Sequence, residues 1–272
     1  MAKKKKDVIF PILGNNCRLI DTHCHLDMSK YHDDLDEVIE RAASRGVDRI
    51  ITVGIDLQSS REAINISKRY RGVYATVGIH PHNVSNVIES DYKMLSILTK
   101  KPKVVAYGEI GIDLHYNYAP KDDQIDHMFR QIELAKTANL PIIIHDREAH
   151  REVIDVLKES APFPAGGVMH CFSGDSEFAC QVLELGLYIS IPGVVTFNKA
   201  EILQAAVKKV PLDKLILETD GPFLAPEPRR GRRNEPAFIL FTAMRVAELK
   251  GIDLEDVART TTRNAEKLFR LS

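Results

Sequence analysis

A single-domain (β/α)8 barrel of the TIM type is the fold this sequence predicts, on three observations. Eight short apolar runs alternate with amphipathic segments along 272 residues, a length close to the roughly 200–250 residues such barrels occupy as one domain. The runs are continuous in apolar character, as strands buried on both faces of a parallel sheet are. Neither G-x-G-x-x-G nor G-x-x-x-x-G-K-[ST] occurs, so the phosphate loops that mark open doubly wound sheets are missing.

The elements follow in order. Leu19 and Ile20 open a first strand that runs into Asp21-Thr22-His23-Cys24-His25-Leu26-Asp27. Leu35, Val38, Ile39 and Ala42 recur at helical spacing over 33–45, and Gly46 ends the segment. A β-branched run over 49–54 predicts a buried strand. The pattern then repeats as helix 60–70, strand 73–77, helix 92–99, strand 104–107, helix 122–138 and strand 142–144. Helix 149–159, strand 167–169, helix 176–185, strand 187–191, helix 200–208 and strand 214–217 complete eight strands, and two helices over 236–250 and 254–269 close the chain.

Composition sets bounds on function. Hydrophobic residues make up 44% and charged residues 28%, enough for a full core, and a net charge of −1 is no signature for coating a long nucleic acid. Any nucleic-acid contact is therefore expected to be local. Cys17, Cys24, Cys171 and Cys180 form no C-x-x-C pair in a chain too large to need staples, which favours reduced thiols in a cytoplasmic setting. Lysines at 3–6 precede a short apolar run that Asp7 and Pro11 interrupt; a solvated tail is expected, not a signal peptide, and no stretch approaches a membrane span.

In a barrel, chemistry collects where the strands end, at their C-terminal side. The first strand ends in His23 and His25, the third in Gly78-Ile79-His80-Pro81-His82, and the fourth in Gly108-Glu109-Ile110-Gly111-Ile112-Asp113. The fifth ends in His145-Asp146-Arg147, the sixth in His170-Cys171-Phe172-Ser173-Gly174, and the eighth in Glu218-Thr219-Asp220-Gly221-Pro222. Any one of these has a bland explanation, such as a satisfied core histidine or a carboxylate capping a helix. Together His23, His25, His145, His170, Glu109 and Asp220 would be costly to bury without cations among them, so a dinuclear metal site bridged by Glu109 is expected. Strand alternation turns Cys24 and Cys171 away from the interior, as packing residues.

These same stretches, continued by Phe223-Leu224-Ala225-Pro226, by Arg230-Gly231-Arg232-Arg233-Asn234-Glu235-Pro236 and by Thr262-Arg263-Asn264-Ala265, resemble the TatD family of metal-dependent deoxyribonucleases within the amidohydrolase superfamily. The resemblance runs from Leu19 to nearly the end, so residues 1–16 are expected to be an N-terminal extension and 17–272 the barrel; Gly221 stands where the family often has Ala or Ser. It implies one divalent ion on His23, His25, Glu109 and Asp220 and a second on Glu109, His145 and His170, with Zn²⁺, Mn²⁺ and Mg²⁺ as candidates.

Asp220 is then expected to orient the attacking water and take its proton, and Arg147 to neutralise charge on the phosphoryl group or, alternatively, to pair with a ligand carboxylate. His80 and His82 are expected to contact substrate phosphate or to cap the following helix. Arg230, in the basic stretch of Arg229, Arg230, Arg232 and Arg233, is a candidate phosphate contact, with a solvated loop as the alternative. Tyr116, Phe172 and Phe223 could stack a base, but packing in the core or a lid is the expectation. The activity so implied is 3′-5′ exonucleolytic cleavage of DNA ends or short oligonucleotides by a monomer or weak oligomer. Hydrolysis of an ester or amide, as in a D-aminoacyl-tRNA deacylase, is the alternative, and a metal-stabilised nucleic-acid-binding protein without turnover is a third reading.

Overall fold

The computed structural model describes residues 9–14, 16–116 and 118–271. The lysines at 3–6 lie outside the described residues. Eight parallel strands run in sequence order, each hydrogen-bonded to the next: β1 (Leu19–Cys24), β2 (Val47–Thr52), β3 (Val73–Val77), β4 (Val104–Asp113), β5 (Ile142–Arg147), β6 (Gly167–Met169), β7 (Tyr188–Ile191) and β8 (Leu215–Leu217). The ring is nearly closed by the chain just past β8, where Asp220 N donates to His23 O at 2.9 Å, His25 N donates to Gly221 O at 2.7 Å, and Cys24 bridges Gly221 in parallel. This is the (β/α)8 barrel that the sequence predicts.

The outer layer is α1 (Leu35–Ser44), α2 (Leu57–Arg69), α3 (Glu89–Leu98), α4 (Lys121–Ala138), α5 (His150–Ser160), α6 (Ser176–Glu184), α7 (Glu201–Lys209), α8 (Ile239–Lys250) and α9 (Leu254–Phe269). Local chemistry sets their ends. Asp56 and Ser59 form a reciprocal capping box at the start of α2, and Asp175 accepts from the amides of Glu177 and Phe178 at the start of α6. Asn139 and Gly251 end α4 and α8 in the left-handed conformation that these two residue types tolerate. Among the described residues, no helix is long and apolar enough to cross a membrane.

Two packed layers share the strands. Leu19, Val47, Ile50, Val73, Ile142, Ile144 and Leu215 meet the helices, whereas Ile20, Ile51, Ala106, Ile143, Val168 and Ile216 fill the lower barrel and are covered by Ala265, Leu268 and Phe269 of α9. Simple alternation from Ile20 would turn His23 outward, and from Ala106 would do the same to Glu109. The strand register prevents this. Between Asp21 and Cys24, three steps on β1 match two on β2, and between Tyr107 and Ile110, three steps on β4 match two on β5. One extra residue in each strand switches the face that the following side chains occupy. Hence β4 continues to Asp113, well past the 107 expected from its apolar run, and carries Glu109 inward. Gly111, at φ +153°, lies so close to β5 that a Cβ would come within 1.9 Å of His145 O; only glycine allows this approach.

The described part of the N-terminal segment lies on the barrel. The Phe10 ring packs at 4.9 Å from Phe241 and 6.0 Å from Phe238, with the guanidinium of Arg45 at 4.5 Å and that of Arg229 at 5.2 Å.

Candidate metal centre

The strand ends converge on Glu109, which is buried with its two carboxylate oxygens facing different imidazoles. Its Oε2 lies 3.3 Å from His23 Nε2 and 4.0 Å from His25 Nε2. Its Oε1 lies 2.7 Å from His145 Nδ1, 3.3 Å from His170 Nε2 and 3.6 Å from His80 Nε2. Asp220 completes the other side, with Oδ1 at 3.4 Å from His25 Nε2 and 4.0 Å from His23 Nε2. All six residues expected to cluster are therefore in one place, together with His80. Their donor atoms fall into overlapping groups within 4.8 Å: His23, His25 and Asp220; His23, Glu109 and His170; and His80, Glu109 and His145.

Electrostatics make this an unusual interior. Burial, reinforced by neighbouring His170, lowers the pKa of His23 and so favours its neutral ring. The two rings stack at 3.5 Å. Burial and the His145 charge push His80 well below the usual histidine range. For His25, burial resists charging, but the hydrogen bond and charge of Asp220 prevail and raise it to about 9. His145 behaves alike: burial resists, and Asp113 and Glu109 raise it to about 9. Burial would raise Glu109 and Asp220, yet the surrounding imidazoles hold Glu109 well below the usual carboxylate range and Asp220 below it.

Divalent cations fit this donor set. Both ring nitrogens of His23 are buried without a hydrogen-bond partner, an arrangement that is costly for a neutral imidazole unless a ligand occupies it. The outer faces of the rings are already engaged. His170 Nδ1 lies 3.0 Å from Glu218 Oε1, His25 Nδ1 lies 3.4 Å from Val53 O, and His145 Nε2 lies 3.2 Å from Asp113 Oδ2. Carboxylates and carbonyls behind ring nitrogens fix tautomer and orientation, as they do behind metal-bound histidines.

Two of these supports, Glu218 and Asp113, are site residues that the sequence does not single out. Glu218 also accepts from Ser190 Oγ at 2.6 Å and from Cys171 N at 2.8 Å, and Asp113 also faces His82 Nε2 at 2.7 Å. The available signal was spacing: Asp113 follows Glu109 by four residues on one strand face, and Glu218 precedes Asp220 by two. Beneath them Asp21, which burial pushes up to about 8, accepts from Thr219 N at 2.9 Å and ties β1 to the chain after β8.

Several expectations need correction. Cys24 is buried packing, as expected, but Cys171 lines the pocket, because at φ +45° it has left the strand and alternation no longer governs it. His80 does cap the following turn, its Nδ1 accepting from His82 N, yet its other nitrogen faces Glu109. Phe172 is buried against Phe178, whereas Tyr116 and Phe223, expected in the core or a lid, are exposed at the pocket mouth. Of the basic stretch, Arg233 pairs with Asp34 at 2.7 Å and Arg229 covers Phe10, so these two are structural. Arg230 is exposed, with its guanidinium 4.4 Å from the Phe197 ring. Gly221 has a reason too: a Cβ there would come within 2.5 Å of Tyr31 Oη, which donates to Asn234 O.

The cluster forms the floor of a pocket of about 630 Å³ that opens at the C-terminal end of the barrel. Arg147 lines it and makes no salt bridge or side-chain hydrogen bond among the described residues.

Comparison with known proteins agrees with this geometry. The family model described as TatD related DNase matches residues 20–270. The metal-dependent hydrolase YabD of Bacillus subtilis (strain 168) is 44% identical over 254 residues, covering 93% of this chain and 100% of its own. The 3′-5′ ssDNA/RNA exonuclease TatD of Cronobacter sakazakii (strain ATCC BAA-894) is 34% identical over 256 residues, covering 92% of this chain and 97% of its own. Among solved structures, YJJV, a TatD homologue from Escherichia coli K12, has a TM-score of 0.90 at 31% identity, covering 94% of this chain and 99% of its own. With its barrel, its histidine and carboxylate cluster and these relatives, the chain belongs to the TatD family of metal-dependent hydrolases.

Proposed function

We propose that this protein cleaves phosphodiester bonds at DNA ends as a 3′-5′ exonuclease that uses two divalent cations. One observation carries the reading: the two oxygens of one buried carboxylate face separate imidazole groups, the arrangement that a bridging ligand requires. His23, His25, Glu109 and Asp220 would hold one ion, and Glu109, His145 and His170 the other. Bound there, such ions would lower the pKa of a water towards neutrality and offset charge on the scissile phosphate.

The chain's own residues do the rest. Asp220, held ionised by His25 and the neighbouring imidazoles, is the acceptor that orients the attacking water and takes its proton. Arg147 is the cation available at the wall to meet charge developing on the phosphoryl oxygens. Asp113 and Glu218 keep His145 and His170 in register. The Cronobacter relative, named as an exonuclease on single-stranded DNA and RNA, supports this choice of substrate.

The test is a substrate panel on metal-stripped protein reconstituted with Mg²⁺, Mn²⁺ or Zn²⁺: single-stranded, double-stranded and abasic DNA, RNA, and D-aminoacyl-tRNA. Stepwise loss of nucleotides from the 3′ end, abolished by a chelator and restored by at least one metal, is the expected result. Turnover of D-aminoacyl-tRNA with intact DNA would replace the reading by ester hydrolysis. Binding of DNA with no product under any metal would replace it by a non-catalytic role.

A further inference from the structure

The mouth of the pocket carries side chains that the cluster below does not use. In an eight-stranded ring, β4 and β8 stand opposite each other. Past β4, Tyr116 is 54% exposed and Tyr118 66% exposed, with their rings stacked at 5.6 Å and 20° from parallel. His82 meets both edge-on, at 5.5 and 4.8 Å. Past β8, Phe223 is 41% exposed, with Lys30 Nζ at 5.2 Å from the ring centroid. On the arc between these aromatic edges, Arg147 is the last residue of β5 and Lys199 follows β7. Both line the pocket, and neither is engaged in a salt bridge or side-chain hydrogen bond among the described residues.

Large aromatic faces left in water around a pocket are seldom packing residues, since the same rings would be more stable buried. Their flat, unbranched shape suits a flat ligand. The free cations on the intervening arc suit an anionic one. A nucleotide unites the two, and about 630 Å³ leaves room for one or two nucleotides but not for a duplex.

We propose that the Tyr116–Tyr118 stack and Phe223 are two base-stacking platforms on opposite sides of the mouth, and that Arg147 and Lys199 meet the phosphates between them, so the site selects an unpaired nucleic-acid end by its bases. The proposal rests on the phosphodiesterase reading and adds what that reading leaves open: whether paired or unpaired ends enter the site, and by what contacts. A paired base near a duplex end has its faces covered by neighbours, so it offers no face to either platform.

The test compares metal-loaded wild type with a Tyr116→Ala/Tyr118→Ala variant and a Tyr116→Phe/Tyr118→Phe variant. Each is assayed on single-stranded oligonucleotides ending in normal nucleotides and on the same oligonucleotides ending in abasic sites, with circular dichroism confirming the fold. Stacking contributes about 1–3 kcal/mol per base, so the alanine variant is expected to lose at least about fivefold in kcat/KM on the normal end. The gap between normal and abasic ends narrows accordingly, and the phenylalanine variant restores it. An unchanged gap in the alanine variant, or a phenylalanine variant as impaired as the alanine one, overturns the proposal. If wild type degrades neither substrate, the phosphodiesterase reading fails by itself. Stacking is then judged by fluorescence of an oligonucleotide with terminal 2-aminopurine: quenching that the alanine variant loses supports it, and no quenching by wild type overturns it.

Discussion

The polar side chains on the floor of the pocket and the charged ones past the strand ends are under different constraints. On the floor, Glu109, Asp220 and five histidines are enclosed by the strands, and their partners are one another, buried supports such as Asp113 and Glu218, or a ligand. Past the strand ends, charges have choices. Arg233 takes Asp34, Arg229 takes the Phe10 and Phe238 rings, and Arg230 lies over Phe197, while Arg147 and Lys199 are left facing the pocket. A polar group that burial deprives of water declares its role by its type. An exposed one acquires its role only from the neighbours that folding supplies.

Among single substitutions, the largest effect is expected on the floor. Where partners behind a metal-bound histidine account for about 10–100-fold, loss of a ring that faces the metal is expected to exceed about a hundredfold. His145→Ala should therefore lose DNA degradation by more than that factor while keeping its circular dichroism spectrum. Activity near wild type would remove the distinction between floor and mouth.

Next comes Glu218→Gln, one layer back. It keeps a hydrogen-bond acceptor near His170 but removes the charge, and should lower metal affinity by roughly 10–100-fold, measured by competition with a chromophoric chelator. Equal metal affinity in the two proteins would reduce Glu218 to a packing residue.

Smaller effects separate two arginines three residues apart. Arg230→Ala should raise KM for oligonucleotides a few-fold and reduce the slope of log affinity against log salt by about one, as the loss of a phosphate contact does. Arg233→Ala should leave the slope alone and lower the melting temperature, since Arg233 holds Asp34 and donates to Lys30 O. The reverse pattern would exchange their assignments.

The smallest effect concerns acid. The Arg233 guanidinium beside Asp34 holds its carboxyl at about 2, below the roughly 3.9 of an unfolded aspartate. A depressed carboxylate stabilises the fold fully above the unfolded value and ceases to do so as pH falls through the folded one. The difference in melting temperature between wild type and Asp34→Asn should thus be constant from pH 7 to about 4 and shrink towards pH 2. A difference that persists at pH 2 would show that Asp34 acts other than through its charge.

Legibility in the sequence follows the same division. The strand count and order, and the convergence of His23, His25, Glu109, His145, His170 and Asp220, were readable because buried polar residues at strand ends have few explanations. The exposure of Tyr116 and Phe223 was not, because aromatic residues are ordinarily core, and nothing in a loop's composition says whether a later segment covers it. The position of Cys171 is not legible for a different reason: alternation holds only while the chain remains extended, and at φ +45° it does not. Glu218 and Asp113 were visible as residues, but their hydrogen bonds depend on neighbours 48 and 32 positions away.

The extra residues in β1 and β4 mean that this centre is assembled by counting. Chemistry chose imidazole and carboxylate, but parity decides whether they meet. Were Asp21 to Cys24 paired one-for-one with β2, the composition of the strand would be unchanged and His23 and His25 would turn towards the helices. Any attempt to transplant the centre onto another barrel has to carry the phase of these two strands along with their side chains.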